Sequence, residues 1–320
     1  MNIVFMGTPD FAVESLSKIY ESGHNVLAVV SQPDKTSGRG MKLTMPAVKE
    51  YAISKNIKVF QPEKVRGNEE FICELKKLNP DVIVVVAYGK LLPKEILDMP
   101  KYGCINVHGS LLPAYRGSAP IQWAIINGET RTGVTTMYMN EGMDTGDMIL
   151  KREIEIDGND TYGTLYDKLK KLGGKAIVET LEKIADGIIP REKQSDNCSY
   201  APMIEKSMGN IDWSKSSNSI RNLIRGLNPM PGAYTHLDDS VMKIWRATSL
   251  SWQAFNEKHD VCYSLIPGTV LVSNSKDGLY VSAGEGVLKI EELQMTNSKR
   301  MLAVDYLRGH EIKEGSIFMQ

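Results

Sequence analysis

Asn106 and His108 stand two residues apart in Asn106-Val107-His108, and Gly109-Ser110-Leu111-Leu112-Pro113 follows directly. The run at residues 103–108 reads as a strand. If it extends to His108, the i, i+2 spacing puts both polar side chains on one face at its carboxyl end, where open α/β sheets build their sites. An amide and an imidazole so placed can both donate to a ligand. Taken alone, an Asn-x-His pair more often satisfies backbone groups of a loop. Asp144, in Asn140-Glu141-Gly142-Met143-Asp144-Thr145-Gly146, has an equally plain reading as a carboxylate capping a glycine-rich turn.

The elements that must position these groups follow from periodicity. Residues 2–6 are an apolar run ending at Gly7-Thr8-Pro9-Asp10, where Thr8 suits a helix cap and Pro9 the first helical position. A helix over 11–22, ended by Gly23, and a β-branched strand over 25–31 complete a βαβ unit. The alternation continues with a helix at 47–56, a strand at 58–60, a helix at 68–78 and the apolar strand 81–87. Beyond the 103–108 strand come a helix at 119–127, a strand at 132–139 and a helix at 162–186. Strands alternating with helices specify an α/β domain with a mostly parallel, Rossmann-like sheet. Gly7-Thr8-Pro9 opens a helix after a strand but carries no G-x-G-x-x-G, so no dinucleotide is expected.

Residues 188–206 hold Pro190 and Pro202 and little periodicity, which marks a linker. The division is a domain at 1–189, a linker at 190–206 and a second domain at 207–320. In the latter, a helix near 216–225 precedes short runs at 242–247, 268–272, 278–282 and 286–293, as expected of a small OB-like β-barrel.

Composition excludes several classes. The chain is 42% hydrophobic and 24% charged with a net charge of −1, so nothing global draws it to nucleic acid, and any such contact must come from local basic patches. No apolar run approaches the roughly 18 residues of a membrane span, and Met1-Asn2-Ile3-Val4-Phe5-Met6-Gly7 has no basic leader, so a cytoplasmic location is expected. Cys73, Cys104, Cys198 and Cys262 are widely spaced. They encode neither a disulfide framework nor a metal site, and mostly buried thiols are expected.

Taken together, Asn106-Val107-His108, Ser110-Leu111-Leu112-Pro113 and the 140–146 loop resemble the folate-dependent formyltransferase family, which uses an Asn, a His and an Asp from these motifs. Gly7-Thr8-Pro9-Asp10-Phe11, Ser31-Gln32-Pro33-Asp34, Gly38-Arg39-Gly40 and Tyr115-Arg116-Gly117-Ser118-Ala119-Pro120 are similar to the branch of that family acting on methionyl-tRNA. The resemblance implies a formyl donor, 10-formyltetrahydrofolate, and an acceptor, the α-amino group of methionine on initiator tRNA. It implies Asn106, His108 and Asp144 as the catalytic set. The first two would donate to the oxygen on which negative charge develops; Asp144 would orient His108 and relay the proton of the amine. It also implies that Tyr88, Gly89, Leu91 and Gly142 contact the pterin end of the folate and that Ser110, Leu111, Leu112 and Pro113 line the rest. A monomer is implied as well.

For the acceptor, residues 35–43 carry Lys35, Arg39 and Lys42 around two glycines, a long basic loop suited to phosphate. A solvated surface loop is the plainer reading; with the resemblance, Arg39 and Lys42 become the main tRNA contacts. Lys206 and Arg246 join them from the second domain, with Arg221, Arg225, Lys243, Lys289 and Lys299 as further candidates. Acidic residues balance the basic ones in that domain, so binding there requires one-sided clustering. Other acceptors using the same chemistry, an amino sugar nucleotide or a purine-precursor ribonucleotide, are the alternatives. The other four histidines lack a partner motif and are expected to be structural.

Overall fold

Apolar β-branched runs form the centre of a seven-stranded sheet. The computed structural model describes residues 1–37, 42–237, 240–259 and 266–319. The sheet is built from β1 (Asn2–Gly7), β2 (Asn25–Val30), β5 (Val59–Phe60), β6 (Val82–Val86), β7 (Cys104–His108), β8 (Arg131–Tyr138) and β9 (Met148–Glu155) in the order β5-β2-β1-β6-β7-β8-β9. Pairing is parallel from β5 through β7 and antiparallel across β7-β8 and β8-β9. Every residue of β6 is buried, as a strand covered on both faces requires. The basic stretch read as a loop is instead flanked by an antiparallel hairpin, β3 (Lys35–Ser37) with β4 (Lys42–Thr44). Its tip, including Arg39, lies outside the described residues.

Helices α1 (Asp10–Glu21), α2 (Ala47–Ser54), α3 (Glu69–Leu78), α4 (Lys94–Leu97), α5 (Pro120–Ile126) and α6 (Tyr162–Ala185) alternate with these strands. Asn68 caps α3, its side chain accepting from the Phe71 N–H at 3.1 Å. Thr8 does not cap α1. Its hydroxyl donates to the Tyr88 carbonyl at 3.1 Å, and Pro9 occupies the cap position without a side-chain bond. Gly173 on α6 lets that helix lie against the sheet, since a Cβ there would sit 3.1 Å from Val107. Val107 therefore faces α6, which leaves Asn106 and His108 on the opposite face. Strand β9 escaped the sequence reading, although Glu153 and Glu155 alternate with Ile154 and Ile156.

By contacts the chain forms two units. The first comprises Met1–Pro120, Arg131–Glu155 and Tyr166–Pro202; the second comprises Ile121–Thr130, Ile156–Leu165 and Met203–Gln320. Residues of the 190–206 stretch bond into the first unit: Glu192 bridges Met148 and Tyr200 bridges Arg116. Of the described cysteines only Cys104 is buried, and burial pushes its thiol up to about 12. Cys73 is exposed and Cys198 is partly so, while Cys262 lies outside the described residues.

The second unit is an antiparallel sheet of β10 (Ala233–Leu237), β11 (Ser240–Leu250), β12 (Val270–Asn274), β13 (Gly278–Ser282) and β14 (Val287–Met295), with β15 (Met301–Leu302) beside β14. The order is β10-β11-β14-β13-β12. Residues near the chain end join its two edges: Met319 bridges His236 of β10, and Ile317 bridges Thr269 just before β12. Helix α7 (Ser217–Gly226) packs Ile220 and Ile224, four residues apart, into this core with Trp213 and Leu293. Two short helices, α8 (Trp252–Asn256) and α9 (Ala303–Tyr306), complete it. No described helix is long and apolar enough to cross a membrane.

Gly133 in β8 tests the tight pairing around the site. A Cβ there would lie 2.0 Å from the Arg152 carbonyl and 2.6 Å from Leu111. Gly133→Ala should lower stability by roughly 3 kcal/mol, the upper end of overpacking costs, read as a reduced urea midpoint of the first unit.

Candidate active site

The structure brings Asn106, His108 and Asp144 together at the carboxyl end of β7. Asn106 pairs in register with Val85 near the end of β6, and His108 is the last residue of β7. The Asn106 Nδ2 donates to Asp144 Oδ1 at 3.4 Å. The His108 Nδ1 lies 3.6 Å from Asp144 Oδ2. His108 is 6% exposed and its other ring nitrogen, Nε2, is 2.9 Å from the Tyr115 carbonyl oxygen. A carbonyl only accepts, so Nε2 carries a proton. Nδ1 is then the ring atom turned toward the carboxylate and available to a reacting group.

Asp144 is held at its side chain and at its backbone. Its Oδ2 accepts from the Gly117 N–H at 2.8 Å. Its own carbonyl accepts from Gln194 Nε2 at 2.8 Å, and the same nitrogen donates to the Gly146 carbonyl at 2.8 Å. These bonds have a conformational cost to offset, since Asp144 has φ 53°. A left-handed residue with a Cβ costs about 1–2 kcal/mol, and each hydrogen bond returns about 1 kcal/mol net. The turn-capping role open to Asp144 belongs instead to Asn140, whose Oδ1 accepts from the Gly142 N–H at 3.1 Å and the Thr145 hydroxyl at 2.8 Å. Asp144 is thereby left to face His108. At Gly146 a Cβ would lie 1.7 Å from the Tyr138 carbonyl, which is why the loop can close only on glycine.

The segment 115–117 holds both titratable groups, through the Tyr115 carbonyl and the Gly117 N–H. It is tied in turn to residues 199–201: Arg116 N–H donates to the Ser199 carbonyl at 2.8 Å and Ala201 N–H to the Arg116 carbonyl at 2.7 Å. Gly117 has φ 117°, and a Cβ would lie 2.7 Å from the Ala201 carbonyl. Arg116 is 8% exposed and its Nε donates to Gln194 Oε1 at 2.9 Å. In the sequence Tyr115-Arg116-Gly117 stands only as a signature, and nothing in the proline-bearing polar stretch around Gln194 points to a site.

The expected folate residues divide. Tyr88, Ser110 and Leu112 turn their side chains inward: burial pushes the Tyr88 phenol up to about 12, Ser110 donates to the Ala114 carbonyl at 2.6 Å, and Leu112 packs on Met137 and Met148. Contacts from these positions would be through backbone. Leu111 and Pro113 are partly buried, and Gly142 is exposed. Ala87 and Gly89 take left-handed conformations just past β6, and Leu91 is 69% exposed while Leu92 joins the core. The Tyr88 carbonyl in this turn is taken, accepting from the Thr8 hydroxyl at 3.1 Å and from Gln32 Nε2 at 3.0 Å. No described group of residues could hold a metal.

The tRNA candidates also divide. Lys42 begins β4 and Lys206 is exposed at the start of a 3₁₀ turn, Lys206–Gly209. Arg246 is not free, since it pairs with Glu291 at 2.9 Å and Glu292 at 3.5 Å. Arg221 and Arg225 do share a helix face, and both hold the chain locally: Arg221 donates to the Gly158 carbonyl, Arg225 to those of Asp157 and Asp160 and to the Asn222 side chain. Lys243 and Arg300 both lie over the Trp245 ring, at 5.4 and 5.3 Å from its centroid. The remaining histidines keep structural company: His259 stacks on Phe255 and His310 on Tyr306.

The geometry fixes a tautomer that NMR can read. Nitrogen shifts of His108 should report a protonated Nε2 whenever the ring is neutral; a neutral ring protonated on Nδ1 would contradict the Tyr115 contact.

Residues 1–181 match the formyl transferase family model, and residues 203–311 match the formyl transferase C-terminal domain. The chain is 54% identical over 318 residues to the methionyl-tRNA formyltransferase of Caldanaerobacter subterraneus subsp. tengcongensis, covering 99% of each. It is equally similar to that of Clostridioides difficile, and 50% identical to that of Acetivibrio thermocellus over 100% of both chains. Among solved structures, WlaRD, a sugar 3N-formyl transferase crystallised with dTDP and 5-N-formyl-THF, superposes with a TM-score of 0.65 at 22% identity, over 93% of this chain and 99% of that one. HypX from Aquifex aeolicus in complex with tetrahydrofolic acid gives 0.61 at 15% identity over 98% of this chain and 50% of that one. These two likenesses concern the fold alone. With both family models matched in order along nearly the whole chain, it belongs to the formyl transferase family.

Proposed function

We propose that this chain transfers the formyl group of 10-formyltetrahydrofolate to the α-amino group of methionine carried by initiator tRNA, giving N-formylmethionyl-tRNA. The observation that carries the reading is the convergence of Asn106, His108 and Asp144 at one strand end in a chain about half identical, end to end, to methionyl-tRNA formyltransferases. Sugar-directed relatives support only the fold, at 22% identity. A cytoplasmic monomer is the form proposed, since Asn106, His108 and Asp144 all come from one chain.

The bound donor supplies a formyl carbon that gains a bond to the amine nitrogen and loses its bond to N10, while the amine gives up a proton and N10 takes one. Asn106 Nδ2 is a preorganised donor to the formyl oxygen as it gathers negative charge. An Nδ1–H on His108 adds a second donor, and because Nε2 is already protonated this form is the imidazolium, with Asp144 as its counter-charge 3.6 Å away. Asp144 also receives the amine's proton, directly or through water. An α-amino group has a pKa of roughly 7.7–8.0, lowered further by the ester link. A weak base therefore suffices.

In the same reading, residues 1–189 carry the chemistry, 190–206 connect, and 207–320 hold the tRNA. Arg39, Lys42 and Lys206 contact phosphate, while Arg246 contributes only after release from its glutamates. Trp245, flanked by Lys243 and by an Arg300 that pairs with Glu292, offers an aromatic ring for stacking, as nucleic-acid binders do.

Purified protein with the donor should formylate methionine-charged initiator tRNA and not free methionine. Asn106→Ala should lower kcat about 10²–10³-fold with donor affinity by fluorescence unchanged; an unchanged kcat would remove Asn106 from the site. The Arg39→Ala variant should flatten the slope of log(kcat/KM) for charged tRNA against log salt by about 1, and should leave the KM of the donor alone.

A further inference from the structure

Both polar atoms of the Gln194 side chain are bonded to segments that hold Asp144 and His108, although Gln194 is not itself in the reacting set. Its Nε2 donates to the Asp144 and Gly146 carbonyls, both at 2.8 Å, with Met137 Sδ at 3.9 Å beside them, and its Oε1 accepts from Arg116 Nε at 2.9 Å. Only an amide supplies two donors and an acceptor in this arrangement. Glutamate has no donor, lysine has no acceptor, and leucine has neither. The two segments that Gln194 joins are those that touch the reacting groups. Residues 144–146 carry Asp144, and residues 115–117 hold His108 through the Tyr115 carbonyl and Asp144 through the Gly117 N–H.

We infer that Gln194 is a positioning residue for formyl transfer, fixing the Asp144 carboxylate against His108 by clamping the 144–146 backbone to Arg116. The inference rests on the catalytic reading of Asp144 given above. The loop needs such a clamp because Asp144 is left-handed at φ 53° and its immediate neighbour Met143 is 58% exposed, so the core does not anchor that side. Arg116 is a firm anchor for the other end: it is 8% exposed and its backbone is bonded on both sides to residues 199–201. Gln194 itself follows Glu192, which bridges Met148 of β9. The clamp is thus hung from the sheet rather than from the exposed side of the loop. Because Gln194 acts through backbone, its loss should change the rate of transfer and not the binding of either substrate.

The test is steady-state kinetics of Gln194→Ala and Gln194→Glu, each also in an Asp144→Asn background, with far-UV circular dichroism to establish folding. Gln194→Glu keeps the acceptor for Arg116 and the side-chain length while removing both donors, so it carries the test if Gln194→Ala folds poorly. The expected result is a 10- to 100-fold fall in kcat in both single variants, the scale of a small misplacement of a reacting group, with KM for donor and for charged tRNA within about twofold of the parent. Placed on Asp144→Asn, either change should slow the enzyme no further, because residues acting as a unit are non-additive. A parental kcat in Gln194→Glu, a rise in KM alone, or an equal slowing of the Asp144→Asn enzyme would each overturn the inference. A fully active Asp144→Asn enzyme would instead remove the reading of Asp144 on which it rests.

Discussion

Two backbone groups, the Tyr115 carbonyl on His108 Nε2 at 2.9 Å and the Gly117 N–H on Asp144 Oδ2 at 2.8 Å, are the interactions on which the proposed active site depends. One fixes which ring nitrogen is free; the other fixes where the carboxylate points. Both come from three consecutive residues, so shifting that segment would disturb the imidazole and the carboxylate together. That coupling explains the unusual backbone around it: Gly117 at φ 117°, Tyr115 at φ 63° and Asp144 at φ 53°. Strain of this kind persists where surrounding structure over-determines it, and here the bonds to residues 194, 199 and 201 do so.

The sheet supplies the frame. Parallel strands β1 and β6 are apolar and buried throughout except for Asn2 at the start of β1, and polar groups from β7 and the following loops gather at the carboxyl end of the sheet. Antiparallel β8 and β9 return the chain so that residues 140–146 fold back toward Asn106. Glycines at 133 and 146 permit this closeness, since at either position a Cβ would collide with a carbonyl at 2.0 Å or less.

Much of this was legible in the sequence. The βαβ alternation, the apolar strand read at 81–87 and the strand ending at His108 follow from periodicity, and the convergence of Asn106, His108 and Asp144 from motifs whose order matches a known family. What escaped depends on backbone geometry or distant contacts. Thr8 looked like a helix cap, yet it serves Tyr88, a residue brought near by β1-β6 pairing. Arg221 and Arg225 looked like a basic face, yet both also donate to carbonyls at 157–160, and such pairing across 63 to 68 residues leaves no local trace. Gln194 sits in a stretch whose prolines and polar residues read as a connector. Its meaning appears only when the carbonyls of Asp144 and Gly146 are in place.

The central claim is that Asn106 and His108 Nδ1 are aimed at the formyl oxygen, with Asp144 as their support. A crystal structure with a donor analogue bearing carbon in place of N10, so that the formyl group cannot leave, tests it most directly. The account predicts the formyl oxygen about 2.7–3.1 Å from Asn106 Nδ2, with His108 Nε2 still on the Tyr115 carbonyl. A formyl group bound away from Asn106, or a His108 ring turned to release Tyr115, would contradict it.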